Sequence, residues 1–136
     1  MAIQLSVAVR NARLDAIEST TGTSAILKIL SGVLIPANCA ATETGTVLAT
    51  VNLPSDWMTA AASGSKSKSG TWTDSSADNT GQATYFRVYD STGTTCHIQG
   101  VISVNGAGGD MIVDNPNFYA GQAFIINTFT LTDANA

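Results

Sequence analysis

Charged side chains are scarce in this sequence, and histidine and cysteine are scarcer still. Its 136 residues include 6 Lys and Arg, 10 Asp and Glu, one His and two Cys. Charged residues make up 12% of the chain, about half of the ~25% that is usual in globular proteins. Catalytic and metal sites are built from convergent His, Cys, Asp, Glu and Lys side chains. The shortage predicts a protein that is not an enzyme and that uses no cofactor or metal.

Basic clusters and long apolar runs are also missing. The six basic residues form no run longer than Lys66-Ser67-Lys68 and the net charge is −4, whereas binding to nucleic-acid phosphate needs several clustered cations. No apolar run reaches the ~20 residues that cross a bilayer. Arg10 and Arg13 stand where a secretion signal would have its apolar centre. We therefore expect no nucleic-acid partner, no membrane partner, and synthesis in the cytoplasm without standard export.

The few residues capable of chemistry are poorly arranged for it. Cys39 and Cys96 match no metal-binding spacing such as CxxC. A disulfide between them is geometrically allowed, but cytoplasmic synthesis disfavours one, so we expect two structural thiols. His97 is adjacent to Cys96, and adjacent strand residues point to opposite faces, which argues against a Cys–His dyad. Asp110 and Asp114 lack the dense oxygen ligands of a calcium loop and are expected to cap turns.

What the chain does contain begins with a helical pattern over residues 3–19. Leu5 and Val9 fall on one face of that helix, and Leu14 and Ile17 widen the apolar stripe. Residues 1–22 are therefore predicted to form an N-terminal helical segment that serves assembly or docking. Leu5, Val9, Leu14 and Ile17 are its expected interface residues.

Both ends of this helix have recognisable signals. Ser6 is a suitable N-cap, and Gly22 is a suitable stop. The alternation of apolar residues over 3–9 also leaves open a short strand leading into a shorter helix. Asp15 and Glu18 lie near the C-terminal end, where the helix dipole disfavours acids, and this is tolerable if the helix docks on a sheet or on a neighbouring subunit.

Residues 23–136 are predicted to form one β domain. Short segments with period-two alternation or β-rich composition are separated by turn residues, and the Ser91–Thr94 turn predicts a β-hairpin. The predicted strands are Ala25–Val33, Thr46–Leu53, Thr71–Thr73, Ala83–Asp90, Cys96–Val104, Met111–Asp114 and Ala123–Thr132. Lys28 is expected to face water, residues 55–58 to form a helical turn, and residues 59–70 to form an exposed loop. The fold class is therefore mainly β: a sandwich or jelly-roll of about seven to eight short antiparallel strands with one N-terminal amphipathic helix.

Aromatic residues leave two interpretations open. Trp57, Trp72, Tyr85 and Tyr89 would form a sugar-binding platform if their rings were exposed together. Aromatic residues in a small sandwich more often serve as core or interface anchors. On that ground Trp57 and Trp72 join the expected interface residues.

Several stretches resemble a family of small structural proteins of tailed bacteriophages and prophages. They are VRNARLDAIESTTGTSA, VNLPSDWM followed by a Ser/Gly/Lys loop and SGTW, FRVYDSTGTTCHIQG, and FTLTDANA. The resemblance runs nearly from end to end, and LPSDWM with TTCHIQG is its most distinctive part.

This resemblance implies a role in the virion. Head decoration (cement) proteins of this kind use a β-sandwich or jelly-roll core, assemble as trimers, and clamp neighbouring major capsid subunits. The resemblance thus implies a homotrimer on the phage head surface, bound to the major capsid protein, with no catalytic residues. The alternative is a tail, neck or receptor-binding component, with carbohydrate binding as one form of that alternative.

Overall fold

The structure is a computed structural model that describes residues 2–104 and 106–135, so Met1, Asn105 and Ala136 lie outside it. The described residues form one helix, α1 (Val7–Thr21), and ten strands. The strands are β1 (Ile26–Ser31), β2 (Thr46–Asn52), β3 (Ser65–Ser67), β4 (Thr73–Asp74), β5 (Gly81–Gln82), β6 (Tyr85–Tyr89), β7 (Cys96–Ser103), β8 (Met111–Val113), β9 (Asn117–Phe118) and β10 (Phe124–Thr132). The mainly β class and the N-terminal helix are confirmed.

Helix α1 begins and ends at the predicted caps. The Ser6 hydroxyl accepts a hydrogen bond from the backbone N–H of Val9, 3.3 Å away, which satisfies one of the free N–H groups of the first turn. Gly22 ends the helix at a φ of 92° and donates its N–H to Glu18 O at 2.8 Å, a conformation that glycine adopts without strain. The predicted helical pattern extended back to residue 3, but residues 2–6 form neither helix nor strand.

Eight strands form one sheet in the order β2-β1-β6-β7-β8-β10-β3, with β4 also paired to β10, while β5 and β9 pair separately. The predicted β6–β7 hairpin is confirmed, with Arg87 opposite Gln99 in its register. The prediction that all strands are antiparallel is wrong, because β7 and β8 run parallel over two residue pairs.

The connection between the parallel strands β7 and β8 is short. Gly106 and Gly108 have φ values of 85° and 81°, which glycine adopts without strain and which allow tight turns in the connection between β7 and β8. Asp110 then fixes the crossing: its N–H donates to Val101 O and its Oδ2 accepts from Val101 N–H, both at 2.9 Å. Asp110 is thus a turn-stabilising carboxylate.

The sheet folds over on itself to enclose the core. In a flat sheet, β6 and β10 would lie three strand spacings apart, or about 14 Å, yet the Phe86 and Phe129 ring centroids are 5.5 Å apart in an edge-to-face pair. Gly100 on β7 leaves room for this contact, because a Cβ there would lie 2.7 Å from Phe86 Cε1. The folded sheet gives the two layers expected of a sandwich.

Trp57 and Trp72 lie at the centre of this core. Both are fully buried, and their ring centroids are 6.1 Å apart. The Trp72 ring also lies 5.4 Å from Phe129. The indole N–H groups donate to Gly22 O and Ser69 O at 3.0 and 3.1 Å, which removes the cost of burying them.

Two local predictions around these tryptophans are wrong. Residues 55–58 form a bend with a bridge from Met58 to Lys68 instead of a helical turn. Residues 59–70, expected to be an exposed loop, contain β3, which pairs with β10. The Ser/Lys-rich composition of this segment suggested solvent exposure, but its Lys66 side chain is buried against the helix.

Candidate functional site: an apolar loop tip and its supports

The expected interface residues do not form one surface. Trp57 and Trp72 are core residues, so their assignment to an interface is corrected: no ring atom of a fully buried side chain is available to a partner of the folded monomer. Leu14 is also buried, whereas Leu5 and Ile17 are half-buried.

Val9, with Val7, is the exposed part of the expected helical stripe. Val7 and Val9 are 47% and 46% exposed. The buried residues of the helix are only Leu14 and Thr21. Polar contacts to the β domain therefore carry much of the docking of α1. The side chains of Val7 and Val9, which lie on different sides of the helix because they are two residues apart, remain about half-exposed in the monomer.

Lys66 is the centre of those polar contacts. Its Nζ lies 2.8 Å from Asp15 Oδ1, 2.8 Å from Glu18 Oε2 and 2.8 Å from Thr59 O, with only 2% of its side chain exposed. Burial opposes the charged form of Lys66, but the hydrogen bonds to Asp15 and Glu18 outweigh it and raise the Lys66 pKa. The hydrogen bond from Lys66 lowers the pKa of Asp15.

The same two acids also hold the backbone of the adjacent segment. Glu18 Oε1 accepts the Met58 N–H at 3.1 Å, and Asp15 Oδ1 accepts the Ala61 N–H at 2.9 Å. These contacts explain why α1 has two acids in its C-terminal half. They serve contacts with Lys66 and with two backbone N–H groups, which outweigh an unfavourable dipole worth a few tenths to about 1 kcal/mol.

A loop over residues 32–45, here called the covering loop, lies across the outer face of β1 and β6. Tyr85 and Tyr89 point towards it, with Tyr85 Oη donating to Thr44 O at 2.5 Å and Tyr89 Oη donating to Glu43 Oε2 at 2.6 Å. Lys28, expected to face water, pairs instead with Glu43 at 3.1 Å. The outer sheet face is thus a second, partly polar interior.

Arg87 joins this loop to the sheet. The residue is 2% exposed, and its Nη2 donates to Cys39 O at 2.7 Å and to Asn38 O at 3.3 Å. Its Nε donates to Cys96 Sγ at 3.2 Å. A buried guanidinium that reaches two loop carbonyls fixes the loop path, because leaving those groups unpaired would cost about 1–3 kcal/mol each.

Charge under the covering loop is balanced by Glu43. Burial opposes ionisation of Glu43, but hydrogen bonds from Tyr89 and Lys28 outweigh it and lower its pKa. Burial, with the hydrogen bond to Glu43, raises the pKa of Tyr89. The phenol therefore remains a proton donor to a permanently ionised carboxylate across the physiological range.

The aromatic platform for sugar binding is not present. Trp57, Trp72 and Tyr85 are fully buried and Tyr89 is 5% exposed, because the covering loop closes over the two tyrosines. The carbohydrate-binding alternative required these rings to be exposed together, and the burial of all four removes that site.

The covering loop carries the most exposed apolar run among the described residues. Val33, Leu34 and Ile35 are 98%, 75% and 40% exposed, and we call them the apolar tip. Its base is fixed on both sides: Thr84 Oγ1 donates to Gly32 O at 2.9 Å, and Gln99 Nε2 donates to Pro36 O at 2.6 Å. Single exposed aliphatic residues are ordinary, but three in succession on an anchored loop indicate a contact surface.

Residues considered for chemistry have structural contacts. Cys96 Sγ donates to Ile98 O at 3.3 Å, and His97 lines a surface hollow beside α1 with Ile17. Asp114 accepts a hydrogen bond from the Asn127 amide. Over residues 2–104 and 106–135, no group of three or more His, Cys, Asp or Glu side chains is placed to hold a metal ion. In the same ranges, no helix is both long and apolar enough to cross a membrane.

Sequence reasoning missed the apolar tip, which it divided between the end of a strand and the start of a loop. The available signal was the apolar run Val33-Leu34-Ile35 directly before Pro36. The run lies outside the sheet, since strand β1 ends at Ser31. Comparison with known proteins adds no assignment: no family model, no curated protein and no solved structure matches the chain.

Proposed function

We propose that this chain is a virion structural protein of a tailed bacteriophage, and specifically a capsid decoration protein that binds the assembled head and stabilises it. The phage assignment rests on the sequence resemblance described above. The observation that carries the docking role is the apolar tip, three exposed aliphatic residues on a loop whose base and flanks are hydrogen-bonded to the sheet. The partner is the major capsid protein, and the location is the outer head surface of particles assembled in the bacterial cytoplasm.

An apolar mode of attachment suits the charge arrangement of the monomer. All six basic residues are engaged internally. Arg10 and Arg13 contact Asp133, Lys28 contacts Glu43, Lys66 contacts Asp15 and Glu18, Lys68 donates to Gly70 O, and Arg87 donates to Asn38 O, Cys39 O and Cys96 Sγ. These internal contacts support a partner that is protein rather than nucleic acid, and an affinity that survives moderate salt.

The size of the tip supports the proposed homotrimer. Burying each of three aliphatic side chains is worth about 1.5–3 kcal/mol before the entropic costs of binding. One tip therefore supports only modest affinity, whereas three linked tips on a symmetric trimer raise it through effective concentration. We assign the exposed Val9 side chain of α1 to contacts between subunits.

A tail or neck component is the second candidate. It shares the phage resemblance and would use the same apolar tip against a different neighbour. The short strands favour the head, because a tail-tube subunit pairs long strands into a closed inner barrel. Among the strands of the described residues, only β7 and β10 exceed seven residues.

Reconstitution on heads of the encoding phage that lack the protein tests this proposal. Purified wild-type protein is expected to bind such heads and to delay DNA release on heating, since a ligand specific to the assembled lattice stabilises it by mass action. Leu34→Asp should lose binding. Tyr119→Asp is the matched control, because Tyr119 is 61% exposed at a different turn and should bind like wild type. Equal binding by both variants, or binding to tails alone, would contradict the cement assignment.

A further inference from the structure

Cys39 and Cys96 lie together although they are far apart in the sequence. Cys39 is on the covering loop and Cys96 begins β7. The guanidinium of Arg87 touches both residues, through Cys39 O at 2.7 Å and Cys96 Sγ at 3.2 Å. Both residues also line the same surface depression with Lys28 and Glu43. Both are free and half-buried in the structure.

We propose that Cys39 and Cys96 are a site of disulfide formation, which on oxidation by an organic disulfide locks the covering loop, and with it the base of the apolar tip, onto β7. The pairing does not depend on the proposed function. Only its setting does: in a reducing cytoplasm the thiols stay free, and in an oxidising medium outside the cell the bond forms.

The chemistry proceeds by two exchanges. The Cys39 thiolate attacks one sulfur of the organic disulfide, a Cys39 mixed disulfide forms, and the first thiolate leaves and takes up a proton. Cys96, having lost its proton to solvent, then attacks the Cys39 sulfur and expels the second thiolate. The net change converts two protein thiols and one organic disulfide into one protein disulfide and two organic thiols.

The surroundings of Cys96 place it second in this order. Burial, together with the Cys39 thiol, raises the pKa of Cys96 to about 11, so only about one in 10,000 Cys96 side chains is a thiolate at pH 7. Once Cys39 is in a mixed disulfide, its thiol no longer opposes ionisation of Cys96. The hydrogen bond from Arg87, which lowers the Cys96 pKa, then favours the attacking form.

The test uses the full-length native protein and oxidised glutathione. After reaction, remaining thiols are alkylated in denaturant and the intact mass is measured. We expect complete loss of both alkylatable thiols, no retained glutathione, and a tryptic product that joins the peptide ending at Lys66 to the peptide that follows Arg87. A glutathione adduct retained on the wild-type protein, dimers linked between chains, unreacted thiols, or an internal bond that forms only in denaturant would each overturn the proposal.

Single variants check the order of the two steps. Cys96→Ser should accumulate a stable Cys39–glutathione adduct, because no second thiol is present to displace it. Cys39→Ser should react far more slowly, since Cys96 alone is the poorer nucleophile. Faster reaction of Cys39→Ser than of Cys96→Ser would contradict the assigned order.

Amide hydrogen exchange tests the locking of the loop. Exchange across residues 37–44 should slow on oxidation of the wild-type protein, because the bond removes openings of the loop that exchange requires. The same treatment should leave exchange in the Cys96→Ser variant unslowed. Unchanged exchange in the oxidised wild type would show that the bond does not lock the loop.

Discussion

Replacing Lys66 by Met removes the charge that fastens α1 to the β domain and keeps most of the side-chain volume. The ammonium makes three contacts of 2.8 Å, to Asp15, Glu18 and Thr59 O. Asp15 is 49% exposed, so water screens its attraction and it adds little. The contacts to Glu18 and Thr59 O are desolvated, and hydrogen bonds to charged groups are worth about 1.5–3 kcal/mol each.

The variant does not lose the full free energy of these hydrogen bonds, because the methionine side chain is buried in place of the lysine and no ammonium has to be desolvated. We therefore expect Lys66→Met to lower the free energy of unfolding by about 2–3 kcal/mol. Urea denaturation followed by circular dichroism measures this. Lys68→Met is the matched control: Lys68 is two residues away and donates a hydrogen bond to Gly70 O, so its replacement should cost less than ~1 kcal/mol. Equal losses for the two variants would refute the reasoning.

The same contacts predict a pH profile. The lowered pKa of Asp15 means that its contribution is fully present above its ordinary value of 3.8 and is lost as the pH falls through the lower folded value. The raised pKa of Lys66 means that its contribution is present below 10.5 and is lost as the pH rises through the folded value. Wild-type stability should fall at both extremes, and the falls at both ends should be smaller in Lys66→Met.

Three further changes test separately how the core, the apolar tip and the covering loop contribute to stability. Trp72→Ala should lower the free energy of unfolding by about 3–5 kcal/mol, because a fully buried indole leaves a cavity, and a loss below 1 kcal/mol by urea titration would contradict its core position. Leu34→Asp should change it by less than ~0.5 kcal/mol, since the tip is solvated in the monomer; a large loss would show that the tip supports the fold. Oxidation of Cys39 and Cys96 closes a loop of about 60 residues and should raise the free energy of unfolding by up to ~4 kcal/mol, which urea titration with and without reductant measures, and lower stability would indicate strain.

Local patterns predicted the helix caps and the main hairpin. Ser6 and Gly22 act on backbone groups within four residues, so their roles are visible in the sequence. Likewise, the alternation over 85–89 and the turn after Asp90 specify β6 and β7 without information from elsewhere in the chain. Such features depend on neighbours along the sequence, and sequence reasoning is strong there.

Burial of polar residues was not predictable in the same way. Lys66 looks like a solvated lysine in a Ser/Lys-rich loop, and its burial depends on Asp15, which lies 51 residues earlier. An exposed platform that included Tyr89 was left open because Glu43, which lies 46 residues away and contacts it, could not be foreseen as its cover. The position of the apolar tip depends on Thr84 and Gln99, which hold the base of the tip on its two sides. These properties arise from long-range contacts, which residue type and period do not encode.

The central claim is that the chain binds the phage head through the apolar tip, and locating it on the particle tests this most directly. A cryo-electron density map of the encoding phage should show trimers of the β domain on the outer head lattice, with Val33–Ile35 seated against the major capsid protein. Density for the chain on the tail or neck alone, or a head-bound domain whose tip faces solvent, would contradict the account.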